Sequence, residues 1–420
     1  MIQASGGVHL PFTESPGSVH FGYLASYSVR PTGPAETTGF LQSKGTELKL
    51  STTTRATVRA TALTAAFAGT LSLAACGASN EGGSDSASDT SSAAQLSGDL
   101  VGAGSSAQQA AMQAWQAGFN SSQPGVNFSY DPVGSGGGRE QFLAGGVDFA
   151  GSDSALSDDE LTQAKDRCGD AGVFELPNYI SAIAVVYNLD GVSDLNLSPA
   201  TIAGIFNGSI TTWNDPKITA DNPDAKLPST AITPVHRGDK SGTTKNFTDY
   251  LDKAAGDVWT AGAVDEWPTP GGEAANGTSG VIASVGSGQG TIGYADESQA
   301  GDLGIANIKV GDTFVAPSAE GAAAVVANSD PVEGRGENDL AISVNRETTS
   351  VDEYPVVLVS YHIGCVQYDD KTKADVVKAF ENYVISEKGQ KAAADAAGSS
   401  PITSDARDAA QKVVDAITAA

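Results

Sequence analysis

Leu100-Val101-Gly102-Ala103-Gly104-Ser105-Ser106-Ala107 is the stretch on which the fold turns: a short apolar strand runs through glycines into hydroxyl-bearing residues that open a helix. Behind it Ala111, Trp115 and Phe119, with Met112 beside them, recur at the spacing of one helical face, so the helix has an apolar side to bury. Ser105 and Ser106 supply the capping chemistry at its start. Free N–H groups and hydroxyls at a helix N-terminus suit an anion, with the helix dipole adding partial positive charge. Taken alone, the segment leaves three readings open: an anion loop, a structural turn, or a dinucleotide loop of the form G-x-G-x-x-A. Only two strand residues precede the glycines, and the next strand-end acid, Asp131, comes later than the usual spacing of about 20 residues, which counts against the dinucleotide.

Working outward, three more segments carry polar groups on glycine-punctuated turns. Val133-Gly134-Ser135-Gly136-Gly137-Gly138-Arg139 offers close backbone approach and the Ser135 hydroxyl, and leads into Phe142 and Leu143 on a second helix. No serine is centred in Gly-x-Ser-x-Gly, so a hydrolase elbow is not indicated. Val147-Asp148-Phe149-Ala150-Gly151-Ser152-Asp153-Ser154-Ala155-Leu156-Ser157 ends a strand in an acidic loop, where Asp153 is either a turn residue or an acceptor for a ligand hydroxyl. Val235-His236-Arg237-Gly238-Asp239-Lys240-Ser241-Gly242-Thr243-Thr244 sets a cation, its carboxylate partner and a run of donors ahead of a third helix carrying Phe247, Tyr250 and Leu251. A solvated charged turn is the plainer alternative, and the order needed for a P-loop is absent. Apolar runs at Val147 to Ala150, Ile180 to Tyr187 and Tyr354 to Ile363 alternate with these helical patterns, as in α/β layers.

The 420 residues suffice for two ordinary domains, and a 40% hydrophobic content is that of a globular chain. With 24 basic against 50 acidic residues the net charge is −26, which excludes nucleic acid as a natural partner. The same charge repels a small anion, so any anion must be held by local donors. The only histidines after residue 20 are His236 and His362, too few and too scattered for a zinc site, and no metal or cofactor is expected.

The N-terminal quarter reads as an address. Lys49, Arg55 and Arg59 precede an apolar, acid-free stretch from Thr61 to Ala75, the pattern of a secretory signal peptide. Leu73-Ala74-Ala75-Cys76 resembles the lipobox of bacterial lipoproteins, in which the cysteine becomes the N-terminus and carries fatty-acyl (palmitate) chains. The apolar stretch is shorter than the roughly 20 residues a membrane-spanning helix needs. Residues 1–47 do not suit this scheme and are expected to be a non-native upstream extension, with the signal peptide over 48–75 and a Gly/Ser/Asp-rich tether over 76–96. Cys168 and Cys365 remain as an isolated pair, either a disulfide in an oxidising compartment or two buried thiols.

In this order and spacing the four segments resemble the phosphate-specific substrate-binding proteins of bacterial ABC transporters. Ile210-Thr211-Thr212-Trp213-Asn214-Asp215, Gly290-Thr291-Ile292-Gly293-Tyr294 and Ser400-Pro401 look like further family landmarks, and the resemblance covers roughly 99–420. It implies a type II periplasmic-binding-protein fold of two α/β lobes joined by a two-crossing hinge. Lobe one would comprise 97–181 and 355–420, lobe two 182–354, with crossings near Ile180 to Tyr187 and near Tyr354. It further implies phosphate held by Ser105, Ser106, Ala107, Ser135, Asp153, Arg237, Ser241, Gly242 and Thr243, with Asp239 supporting the arginine. The implied partners are inorganic phosphate, the permease subunits of an ABC importer and, through Cys76, the outer face of the cell membrane, with no catalytic residue. Two departures are visible: Ala107 where relatives often have a bulkier apolar residue, and Gly136 where they often have serine. Arg139 is expected to face solvent. A secreted phosphatase on a related scaffold and a surface adhesion or signalling lipoprotein are the rival functions; the first lacks clustered metal ligands or an activated nucleophile.

Overall fold

The computed structural model describes residues 95–420; the extension at 1–47, the leader at 48–75, Cys76 and most of the tether lie outside the described residues. Strand β1 (Ser97–Gly104) leads into helix α1 (Gln109–Ser122), strand β2 (Gly125–Asp131), helix α2 (Ser135–Leu143), strand β3 (Phe149–Ser152), helix α3 (Asp158–Cys168) and the long strand β4 (Val173–Asn188). The first apolar stripe behaves as its spacing requires: Ala111, Met112, Trp115 and Phe119 are all buried. Helix α3 starts on a reciprocal capping box between Ser157 and Glu160, has three acids in its first turn and Lys165 and Arg167 in its last, so local chemistry fixes both ends.

Strand β1 pairs in parallel with both β2 and β3, as two successive βαβ turns demand. The sheet continues from β3 through Val357–Cys365, β4, Thr291–Asp296 and Thr233–Arg237 to Glu273–Ala275. Strand β4 is buried along nearly its whole length, which explains its unbroken apolar run. Its first part, Val173 to Ala182, pairs with Val357–Cys365, whereas Ile183 to Asn188 pairs with Thr291–Asp296. One strand therefore serves both halves of the sheet. Close beside that changeover the Ile183 N–H donates to the Val356 carbonyl at 2.7 Å and the Tyr354 hydroxyl to the Ile183 carbonyl at 3.0 Å.

Each side of the changeover has its own aromatic cluster. Phe128 meets Phe380 at 4.7 Å and Phe149 lies 5.4 Å from Phe380 on the first side. Phe247 stacks on Tyr294 at 4.3 Å on the second, with Phe206 against both. Cys168, the last residue of α3, is joined by a disulfide to Cys365, the last residue of its strand, across 197 positions. Closing so long a loop removes unfolded-state entropy worth on the order of 5 kcal/mol in the chain-entropy treatment. Among the described residues no helix is long and apolar enough to cross a membrane.

Candidate anion-binding site

The four glycine-punctuated segments converge on one carboxylate. Asp153, just past β3 and nearly fully buried, is the group they share. Its Oδ1 accepts the Ser105 hydroxyl at 2.5 Å and the Ser360 hydroxyl at 2.6 Å, and its Oδ2 accepts the Thr243 hydroxyl at 3.1 Å. A carboxylate has about four acceptor positions, so three are filled by hydroxyl donors and one direction on Oδ2 remains. The Asp153 N–H donates to the Ser135 hydroxyl oxygen at 3.1 Å, leaving the Ser135 proton to point elsewhere. Asn246 donates to both the Asp153 carbonyl at 2.6 Å and the Gly242 carbonyl at 2.9 Å, and Arg346 donates to the Asn246 amide oxygen at 2.5 Å, so the two walls are stitched by backbone as well as side chain.

Ser241 is the N-cap of the helix Gly242–Ala255, its hydroxyl accepting from the Thr244 N–H. Gly242 is needed here for proximity: a methyl group at its α-carbon would lie 2.6 Å from the Ser135 hydroxyl oxygen and 2.7 Å from the Asp153 β-carbon. Arg237, buried at the end of its strand, is gripped by Asp239 through Nε at 2.7 Å and through Nη2. Asp239 also accepts the Gly277 N–H at 3.1 Å. Tyr294 accepts the Arg237 N–H at 3.2 Å and lies 2.7 Å from the Thr244 hydroxyl; burial pushes the Tyr294 phenol up to about 12, so it stays protonated.

The first loop is arranged differently from the roles the resemblance implies. The single Ser105 proton is committed to Asp153, and the Ser105 oxygen accepts the Ala107 N–H at 3.1 Å. Ser106 faces the far wall, its hydroxyl oxygen accepting the Thr278 N–H at 3.0 Å. Gln299 reaches across to donate to the Ser106 and Ala107 carbonyls at 3.1 and 3.2 Å. At the departure noted above, a side chain on Gly136 would lie 2.2 Å from the Lys240 β-carbon, and the Gly136 N–H donates to the Lys240 carbonyl at 3.1 Å, so Lys240 fills the space a serine would take.

Arg139 does not face solvent. It lies four residues after Ser135 on α2, hence on the same helix face, and points where Ser135 points. It is buried against Glu160, Ser152, Ser154 and Asp265. Sequence reasoning assigned no role to Ser360, Thr278, Asn246 or Gln299. Only Tyr294 carried a signal, as the end of the Gly290 to Tyr294 landmark.

A family model described as a PBP superfamily domain matches residues 87–388. The phosphate-binding protein PstS2 of Mycobacterium bovis is 38% identical over 323 residues, covering 74% of this chain and 86% of that protein. The phosphate-binding protein PstS of Xylella fastidiosa is 32% identical over 303 residues, covering 70% and 79%. Among solved structures, the high-affinity periplasmic phosphate-binding protein PfluDING bound with phosphate superposes with a TM-score of 0.63 at 23% identity, over 75% of this chain and 93% of that one.

Proposed function

Because the chain belongs to the periplasmic-binding-protein superfamily and, within it, to the PstS phosphate-binding proteins, we propose that its groove captures inorganic phosphate through Asp153 and the donors around it. The protein is an extracytoplasmic phosphate-binding component of an ABC phosphate importer and not an enzyme. The observation that carries the site reading is the carboxylate at the centre of an otherwise donor-rich groove, with three of its acceptor positions already filled by Ser105, Ser360 and Thr243. Phosphate near neutral pH still bears a proton and can donate it to the last position on Oδ2. Sulfate has none and would set two acceptors against each other, a penalty that gives selectivity. Arg237, oriented by Asp239, supplies the charge, while the Ser106, Ser135 and Ser241 hydroxyls and the Gly242 and Thr243 N–H groups supply further donors. Arg237 and the helix Gly242–Ala255 stand on one side of the β4 changeover and Asp153 on the other, so an anion between them favours closure of the two lobes.

Lobe one over 97–181 and 355–420, lobe two over 182–354, a signal peptide over 48–75 and acylation of Cys76 complete the reading. They are supported by the β4 changeover and by the lipobox-like run ending at Cys76. Labelled palmitate that still enters a Cys76→Ala variant would remove the anchor. Calorimetric titration of the purified protein with phosphate, arsenate and sulfate tests the ligand: heat with phosphate, competition by the equally protonated arsenate, and none with sulfate at the same concentration are expected. Equal binding of sulfate, or no heat with phosphate, would overturn it.

A further inference from the structure

Arg139 has no role in the phosphate site described above, yet its contacts are more numerous than those of Arg237. Its Nε donates to Glu160 at 2.8 Å, Nη1 to the Ser152 hydroxyl at 3.1 Å and the Ser154 hydroxyl at 3.0 Å, and Nη2 to Asp265 at 2.8 Å. Ser152 and Ser154 flank Asp153, so one guanidinium braces the acceptor loop from both sides. Asp265 stands on the opposite wall, where its own carbonyl accepts the Ser241 N–H at 2.9 Å. The arginine thus ties the helix that begins at Ser135 and the loop that holds Asp153 to the loop that holds Ser241. Its side chain is 5% exposed and that of Asp265 29%, so the guanidinium end of this arm is buried while the carboxylate end meets solvent. Two carboxylates around one cation leave no net positive charge to offer an anion. A second pair runs parallel at the surface, Lys240 to Glu140 at 3.0 Å, with the Gly136 to Lys240 backbone bond between them. The charges interlace, positive then negative on α2 and negative then positive opposite, so only one register of the two walls satisfies both pairs.

We propose that Arg139 is a positioning residue for Asp153 and the buried half of a clasp whose Asp265 arm is made as the groove closes, so that the clasp governs how fast phosphate leaves. The idea rests on the phosphate reading above. Bonds formed after the ligand has entered act on dissociation: the capture rate and the choice of anion are set by Arg237 and Asp153, which the Asp265 arm does not touch. Burial disfavours the Arg139 charge, but Glu160 and Asp265 outweigh it and keep the guanidinium ionised, so the arm holds at every pH at which the carboxylates do.

Stopped-flow measurement of phosphate association and dissociation on the full chain, with Asp265→Asn, Arg139→Gln and the double variant, decides the matter. Asp265→Asn, a partly exposed site, is expected to raise the dissociation rate about tenfold while the association rate stays within about twofold and the melting temperature of the phosphate-free protein is unchanged. The double variant is expected to dissociate no faster than Arg139→Gln alone, because both changes remove the same arm. Unchanged dissociation in Asp265→Asn, or a loss confined to association, overturns the clasp while leaving the phosphate site intact. An unliganded melting temperature that falls in step with affinity also overturns it, assigning the pair to stability alone. If Arg139→Gln does not fold, Asp265→Asn remains decisive, and a wild-type protein that binds no phosphate defeats the underlying reading rather than the clasp.

Discussion

Two buried arginines, Arg237 and Arg139, are each paired with acid, and they are put to opposite uses. Arg237 takes its carboxylate from two residues away, through Nε and Nη2, so a local turn holds the guanidinium while the Nη1 edge stays available to an anion. Arg139 takes its partners from 13 to 126 positions away and engages all three nitrogens. A cation held by one near neighbour can face a ligand, whereas a cation surrounded by distant partners joins walls. The number and the sequence distance of the partners, more than burial, separate a binding arginine from a bracing one.

The largest test of that contrast is Arg237→Ala. It removes the only cation assigned to the ligand and should weaken phosphate at least a hundredfold, about 3 kcal/mol, with sulfate weakened alongside, measured by calorimetry. If Arg139→Gln costs as much affinity as Arg237→Ala, the division of labour fails. Next is Asp153→Asn, which replaces an obligatory acceptor by a group that can also donate. The phosphate-to-sulfate preference should fall about tenfold or more in competition titrations, and an unchanged ratio would detach selectivity from this carboxylate. Gly136→Ser is a smaller wedge, driven against Lys240 between the two arms of the clasp. It should raise phosphate dissociation about threefold to tenfold in stopped-flow traces, with the anion preference unmoved.

The smallest effect comes from a carboxylate with no arginine at all. Asp296, at the β4 changeover, accepts from Tyr179 at 3.0 Å and from the Ser298 N–H at 3.0 Å, and burial pushes its carboxyl up from the ordinary range to about 7. A carboxyl raised in the folded state favours folding below its unfolded value near 4, and that contribution is lost as pH climbs towards about 7. Asp296→Asn should therefore flatten the decline in stability between pH 4 and pH 7, while the cost of turning an amide N–H towards these donors lowers stability equally at both pH values. Denaturant melts at the two pH values measure it, and parallel curves for variant and wild type would show that Asp296 titrates normally.

Much of this was legible beforehand. Trp115 and Phe119 one turn apart announced α1, the glycine runs announced loops that approach one another, and Arg237 with Asp239 two residues on could be read as an oriented pair from a single window of sequence. Ser360 and Thr278 could not, since they reach their partners across 207 and 172 positions. A serine inside an apolar strand gives no hint that its hydroxyl meets a carboxylate just past the end of the neighbouring strand. Arg139 was misplaced for the same reason: a charged residue after four glycine-rich positions looks solvated until Asp265 and Glu160 are folded against it. The Ser105 proton was assigned to the anion because the loop chemistry allows it, and only the position of Asp153, 48 residues on, redirects it.

The Cys168 to Cys365 link has a consequence for the chain as a ring. Both cysteines end elements on the same side of the β4 changeover, so every residue between them, including the whole Arg237 wall, is an excursion that departs from and returns to one covalent knot. A protease that cuts the exposed backbone near Gly334 opens that ring without dividing the molecule. Under denaturing conditions the nicked chain stays in one piece until a reductant is added, and only then separates into two fragments.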